Sequence, residues 1–158
     1  MSFDDRQLRD ALGLFGTGGC LVTVANARGG GHALTVNSFA AVSLDPPLVL
    51  WSLQRSSDAF DLYAQAAHCA VAVLGADQED LSGRYARKGN HALDGAHYRL
   101  ADNGAPLVRD ALVNFECSLE RSLDGGDHLI QLLRVTRLHR GSSAAPLLFF
   151  GGAYRRLA

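Results

Sequence analysis

Three short stretches of the chain combine residue types that could grip a small ligand. The first is Arg55-Ser56-Ser57, which follows an apolar run and precedes a stretch with helical spacing. A guanidinium, two hydroxyls and the unpaired N–H groups of a helix start would suit a phosphate, because the helix dipole favours an anion there. The same residues would serve as an ordinary helix cap, and the motif alone leaves both readings open. The second is Thr35-Val36-Asn37-Ser38. Three hydrogen-bonding side chains in four residues could read the polar edge of a flat heterocycle, or simply make turn chemistry at a strand end. The third is Gly126-Asp127-His128, at a turn before a long run rich in apolar residues. Glycine lets a backbone or ligand approach closely, and imidazole can donate a hydrogen bond near neutral pH. A lone turn histidine is equally at home as a surface residue.

Other chemistries lack their residues. Gly16-Thr17-Gly18 is followed by Leu21 where a dinucleotide fingerprint needs its third glycine, and no Gly-Lys-Ser/Thr completes a Walker loop. There is no GxSxG elbow, and no carboxylate pair stands out for glycosidase work. His91 and His97 lie six apart, which fits no standard metal spacing, and no CxxC occurs, so no metal is expected. Cys20, Cys69 and Cys117 sit in apolar runs and cannot all pair, so they read as buried, inert thiols. With 15 Lys+Arg against 16 Asp+Glu, the chain has no electrostatic footprint for nucleic acid or an anionic membrane. No apolar run approaches the roughly 20 residues of a membrane span. Met1 to Asp5 is acidic and polar, so no secretory signal is expected and the cytoplasm is the expected compartment.

The elements that must position these residues read as one small β domain over 1–158, a length that buries roughly 70% of the unfolded surface. Residues 19–25 form a strand, 26–31 a glycine-rich hairpin connection, and 32–37 a returning strand. After Pro46-Pro47, residues 48–53 are nearly all apolar and predict a strand covered on both faces. A short helix with Phe60, Tyr63, Ala64 and Ala67 at helical spacing, a strand over 68–74 and a second helix follow. Asp77 is the expected cap of that second helix, and Arg87-Lys88-Gly89 its stop signal. Residues 90–108 are irregular, a loop length that is functional or mobile when it occurs. Val113, Phe115, Cys117 and Leu119 then alternate with Asn114, Glu116, Ser118 and Glu120, predicting a strand with one wet face. Asp124 to Asp127 turns the chain, 128–139 makes a long strand, and 146–150 closes the sheet. Six or seven strands with little helical crossover predict an antiparallel barrel or sandwich.

In order along the chain, these motifs resemble the short-chain flavin reductase family, the FMN-binding split barrels that supply reduced flavin to two-component monooxygenases. The resemblance runs from Phe15-Gly16-Thr17-Gly18 through Thr35-Val36-Asn37-Ser38-Phe39 and Ser43-Leu44-Asp45-Pro46-Pro47-Leu48-Val49. It continues with Leu81-Ser82-Gly83-Arg84-Tyr85-Ala86, Gly126-Asp127-His128 and Pro146-Leu147-Leu148-Phe149-Phe150, then Gly152 and Tyr154. It implies a mainly β, antiparallel, Greek-key-like split barrel with short helices. Thr35, Asn37 and Ser38, with Val36 between them, would line the isoalloxazine, and Ser43, Leu44, Asp45 and Pro46 would shape the wall near its ring. Arg55, Ser56 and Ser57 would hold the flavin phosphate, and Tyr85, where the family commonly has phenylalanine, would touch the ring. His128 would sit beside the nicotinamide as the catalytic residue, with Tyr154 close by.

The implied reaction passes a hydride from NADH or NADPH to FMN or FAD. The cofactors carry that chemistry, while the protein supplies stacking, orientation and electrostatics. Reduced flavin would leave for a separate oxygenase, and the barrel would pair as a homodimer. The alternative is a flavin-binding split barrel, a sensor or tight flavoprotein, without free reductase activity. A non-flavin binding protein on a related barrel is the remaining reading.

Overall fold

A computed structural model describes residues 2–158. Its centre is a seven-stranded antiparallel sheet ordered β3-β2-β6-β9-β10-β5-β4. The strands are β2 (Cys20–Ala25), β3 (Gly31–Val36), β4 (Ala40–Leu44), β5 (Pro47–Gln54), β6 (His68–Val73), β9 (Val113–Gly125) and β10 (His128–Arg140). The two outermost strands, β3 and β4, are joined only by Asn37, Ser38 and Phe39. A flat sheet would hold its edges roughly 29 Å apart at about 4.8 Å per strand, whereas this link reaches at most about 14 Å. The sheet must therefore curl until its edges meet, which makes a barrel split along that seam. The Ser38 hydroxyl hooks the link onto β5 by accepting the Ser52 N–H at 2.9 Å.

Smaller pieces cover the outside. β1 (Thr17–Gly18), β11 (Leu148–Phe150) and β12 (Ala153–Arg155) form a separate three-stranded sheet. Pro146 to Phe150 thus does not close the main sheet as expected. It is tied to the barrel through Leu147, which accepts the Gly19 N–H at 2.9 Å and donates to Leu74 O at 3.0 Å. Residues 90–108 are more regular than expected, with a 3-10 turn at Gly95–His97 and a hairpin of β7 (Tyr98–Leu100) and β8 (Pro106–Val108). That hairpin lies over the face of β9 predicted to be wet. Asn114 and Glu116 are buried there, and both are satisfied. Asn114 receives the Val108 N–H at 2.8 Å and donates to Val108 O at 3.0 Å, while Glu116 pairs with His139 at 2.8 Å.

The helices are α1 (Asp5–Leu12), α2 (Phe60–Ala64) and α3 (Glu79–Tyr85). Asp4 and Gln7 close a capping box on α1, since each side chain accepts the other's backbone N–H. α2 starts at Phe60 with no side-chain cap, so Ser56, Ser57 and Asp58 are not its cap. Asp77 does not cap α3 either; the Gln78 side chain accepts the Gly75 N–H at the preceding 3-10 turn.

Two main cores flank the sheet, and a small third cluster joins Ala70 to Ala105 and Leu107 at the β7–β8 hairpin. Inside the barrel, Trp51 meets Tyr63 edge-on with ring centroids 5.7 Å apart, among Val22, Val71 and Leu133. The second core packs Tyr85 of α3 with Leu21, Leu74, Val108 and Leu147. β5 alternates, with Val49, Trp51 and Leu53 buried and Leu48, Leu50 and Ser52 half-exposed, so only one of its faces is covered within the single chain.

Candidate active site

A cavity of about 570 Å³ opens at the seam, a size suited to a small-molecule or cofactor site. One wall is strand: Thr35 and Val36 of β3, Ser38 of the link, and Trp51 and Leu53 of β5. The opposite wall comes from loops: Ser56, Ser57 and Asp58 after β5, and Ala86, Lys88 and His91 after α3. Tyr85, Asn37 and His128 also belong to the lining.

The polar groups of the strand wall are largely engaged. Thr35 donates its hydroxyl hydrogen to Ser82 O at 2.6 Å, and Ser38 is held by Ser52. Asn37 is exposed and makes no side-chain hydrogen bond among the described residues. Trp51 is 1% exposed, and its indole N–H is buried without a partner. Tyr85 is fully buried, and its hydroxyl lies 2.9 Å from His97 Nδ1 and accepts the Asp94 N–H at 3.1 Å. This places the hydroxyl behind the cavity wall and ties α3 to the following segment.

His128 begins β10, in register with Gln54 of β5, and its Nδ1 lies 2.7 Å from Asp127 Oδ1. That contact holds the Asp127 carboxyl below its ordinary value. Gly126 has φ +74° in this turn, a conformation that glycine adopts without strain.

Arg55 departs from the expectation. Its side chain does not line the cavity but turns to the β9–β10 hairpin, with Nη2 2.7 Å from Asp124 Oδ1 and Nε donating to Gly126 O at 3.0 Å. Its backbone N–H also bonds Asp127 O at 2.9 Å. Arg55 is thus a brace for the turn that carries His128. The lysine among the lining residues is Lys88, which sequence reading passed over as a helix stop. Ser43, Leu44, Asp45 and Pro46 are likewise not part of the lining. They form the outer β4–β5 hairpin, where Leu44 is 96% exposed. Tyr154 faces an adjoining cavity of about 240 Å³ that shares Thr35, Val36, Asn37 and Ala86 with the main one. Its hydroxyl lies 2.6 Å from Ser82 Oγ.

The lining combines the half-buried apolar side chains Leu34 and Val36 with Ser56, Ser57 and Lys88. Among the described residues, no group of three or more His, Cys, Asp or Glu could hold a metal ion. The three cysteines are buried and free. Burial pushes the Cys20 thiol up to about 12, and contact with Cys117 together with burial raises Cys69, so neither is a ready nucleophile.

These elements define an antiparallel barrel split over a seam cavity. The family model described as flavin reductase like domain matches residues 12–158, and the chain belongs to that family. The chain is 44% identical over 156 residues to the FMN reductase (NADH) SmoA of Agrobacterium fabrum, covering 98% of this chain and 87% of the relative. Among solved structures, it is similar to the NADH:FAD oxidoreductase SgcE6 of Streptomyces globisporus in complex with NAD and FAD fragments. That likeness has a TM-score of 0.91 at 36% identity and covers 98% of this chain and 93% of the other. BorF, the flavin reductase component of a bacterial two-component tryptophan halogenase, is similar with a TM-score of 0.87 at 34% identity, covering 98% of each. The fold is therefore the flavin reductase split barrel.

Proposed function

We propose that the chain, as one domain over 1–158, is an NAD(P)H:flavin oxidoreductase whose reduced flavin serves a separate monooxygenase. The observation that carries this reading is the seam cavity, whose lining brings Leu34, Val36 and Asn37 together with Ser56, Ser57 and Lys88. The flavin, when bound, supplies the hydride-accepting ring for reduced nicotinamide. The protein's part is to hold and orient. Leu34 and Val36 offer apolar surface that excludes water from the ring, backed by the core that holds Trp51 and Leu53. Asn37, with its amide exposed at the cavity, reads the polar edge of the ring. Lys88, Ser56 and Ser57 hold the phosphate; Lys88 takes the role expected of Arg55. His128 donates a hydrogen bond at the nicotinamide side and transfers no proton. Tyr154 lines the adjoining cavity, where the rest of a dinucleotide has room.

The site operates in a homodimer in the cytoplasm. β4 is a sheet edge with unpaired backbone, and Val42 and Leu44 stand exposed on it. Such an edge is a ready template for another chain. A second copy would cover it, together with the half-exposed Leu48 and Leu50 face of β5 and the Ser43–Pro46 hairpin. Sedimentation is expected to give the mass of two chains, and a monomer at micromolar concentration would remove this part of the reading.

The deciding experiment follows the absorbance of NADH and NADPH with FMN and with FAD. Steady turnover with at least one pair is expected. Protein that holds yellow flavin yet oxidises neither nucleotide would point to the sensor or tight flavoprotein, and a colourless, inert protein to a barrel without flavin.

A further inference from the structure

The Ser56–Asp58 turn and the segment after α3 are far apart in sequence, yet they meet at one end of the cavity. Asp58 Oδ1 lies 2.9 Å from His91 Nε2, and the His91 side chain is only 10% exposed. The second Asp58 oxygen accepts the Gly89 N–H at 2.7 Å. One carboxylate therefore grips the segment just beyond Lys88 at two points. Gly89 has φ +76°, so the turn that presents this N–H favours glycine.

The segment is also laid along the open edge of β3. Ala33 N–H donates to His91 O and Leu93 N–H to Gly31 O, each at 2.8 Å. His91 Nδ1 lies 3.3 Å from Ala33 O, so its ring faces a carboxylate at one nitrogen and a carbonyl at the other. His32 is held below its ordinary value by burial first and then by His91. Burial raises Asp58, but the Gly89 N–H and His91 together outweigh it and hold the carboxyl low. His91 is the sheltered partner of this pair, while Asp58 keeps 31% of its side chain exposed.

We propose that Asp58 and His91 form a clasp that sets the distance between the Ser56-Ser57 turn and Lys88, and so determines selectivity for a phosphorylated flavin over an unphosphorylated one. The clasp rests on the reading of Ser56, Ser57 and Lys88 as the phosphate donors. Asp58 and His91 act through those donors as positioning residues. The two serines and the lysine come from separate loops, and the clasp is the side-chain bond that joins those loops at the cavity. Loss of the clasp frees Lys88 to sample positions away from the serines, which weakens a multidentate phosphate site but leaves the strand wall in place.

The test titrates FMN and riboflavin, which lacks the phosphate, against wild type, Asp58→Asn, His91→Gln, the double variant and Lys88→Met. Each clasp variant is expected to weaken FMN about tenfold while riboflavin moves less than about twofold. The double variant is expected to be no worse than Asp58→Asn alone, because His91→Gln removes only the bond that Asp58→Asn already weakens. Equal weakening of FMN and riboflavin would mean a general loosening and overturn the clasp, as would unchanged FMN binding. Lys88→Met separates the two ideas. If it loses FMN selectivity while the clasp variants keep theirs, the clasp fails and the phosphate reading stands. If neither loses selectivity, both fail. Should His91→Gln not fold, Asp58→Asn decides alone.

Discussion

The two walls of the cavity are built by opposite means. The strand wall is stiff: its residues belong to β3 and β5, and Thr35 and Ser38 turn their hydroxyls into the fold, onto Ser82 and Ser52. The loop wall is held at a few points, by Asp58, His91 and Gly89, and carries the Lys88 ammonium. Shape thus comes from strands, and charge from loops. The contrast suits a site that must accept and release a flat ligand. A slot preformed by strands needs no rearrangement, while the proposed anion contacts lie on loops, which are the commoner sites of local opening.

The largest effect that probes this contrast falls on the strand wall. Trp51→Ala removes a ring that is 1% exposed and packs edge-on against Tyr63, whose hydroxyl donates to Val22 O at 3.0 Å. Large aromatic truncations in a core cost about 3–5 kcal/mol. At about 2–4 °C per kcal/mol for a domain of this size, a fall of roughly 6–20 °C in Tm is expected. Ser57→Ala on the loop wall should move Tm by no more than about 2 °C while weakening FMN severalfold. If thermal melts rank the two variants the other way, the strand wall is not the stiff one.

Much of this arrangement was legible in the residues, for identifiable reasons. Turns rich in glycine and strands with apolar alternation located β2, β3, β5, β6, β9 and β10 closely, because backbone conformation and pleat impose local patterns. Thr35, Asn37, Ser56, Ser57, Tyr85 and His128 do line one cavity. What local pattern cannot carry is partner choice. Arg55 beside two serines reads as an anion site until the hairpin folds back and offers Asp124 and Gly126 O as nearer acceptors. Asn114 and Glu116 alternate like a wet face, but the β7–β8 hairpin that covers them is short and lacks the usual alternation. Lys88 and His91 stand in a stretch with no periodicity, so only the fold brings them to the serines. α1 was missed although Asp4-Ser-like capping logic was present: Asp4 and Gln7 have the spacing of a capping box.

The smallest expected effect is the sharpest on Arg55, because two readings of one residue predict different observables. If Arg55 braces the hairpin, Arg55→Ala loses an exposed pair, the Arg55 side chain being 42% and Asp124 82% exposed. Such pairs contribute about 0–1 kcal/mol, so Tm should stay within about 4 °C. FMN affinity should then stay within about twofold. The cost should appear in the KM for NADH, raised about two- to threefold, because the turn before His128 loses the Arg55 bond to Gly126 O. If instead Arg55 holds the phosphate, FMN affinity should fall about tenfold with the KM for NADH unchanged, since a charge-assisted bond to an anion is worth more than an exposed pair. Parallel FMN titration and NADH kinetics on this one variant therefore decide whether the charge at the anion end comes from the strand exit or from the loop that carries Lys88.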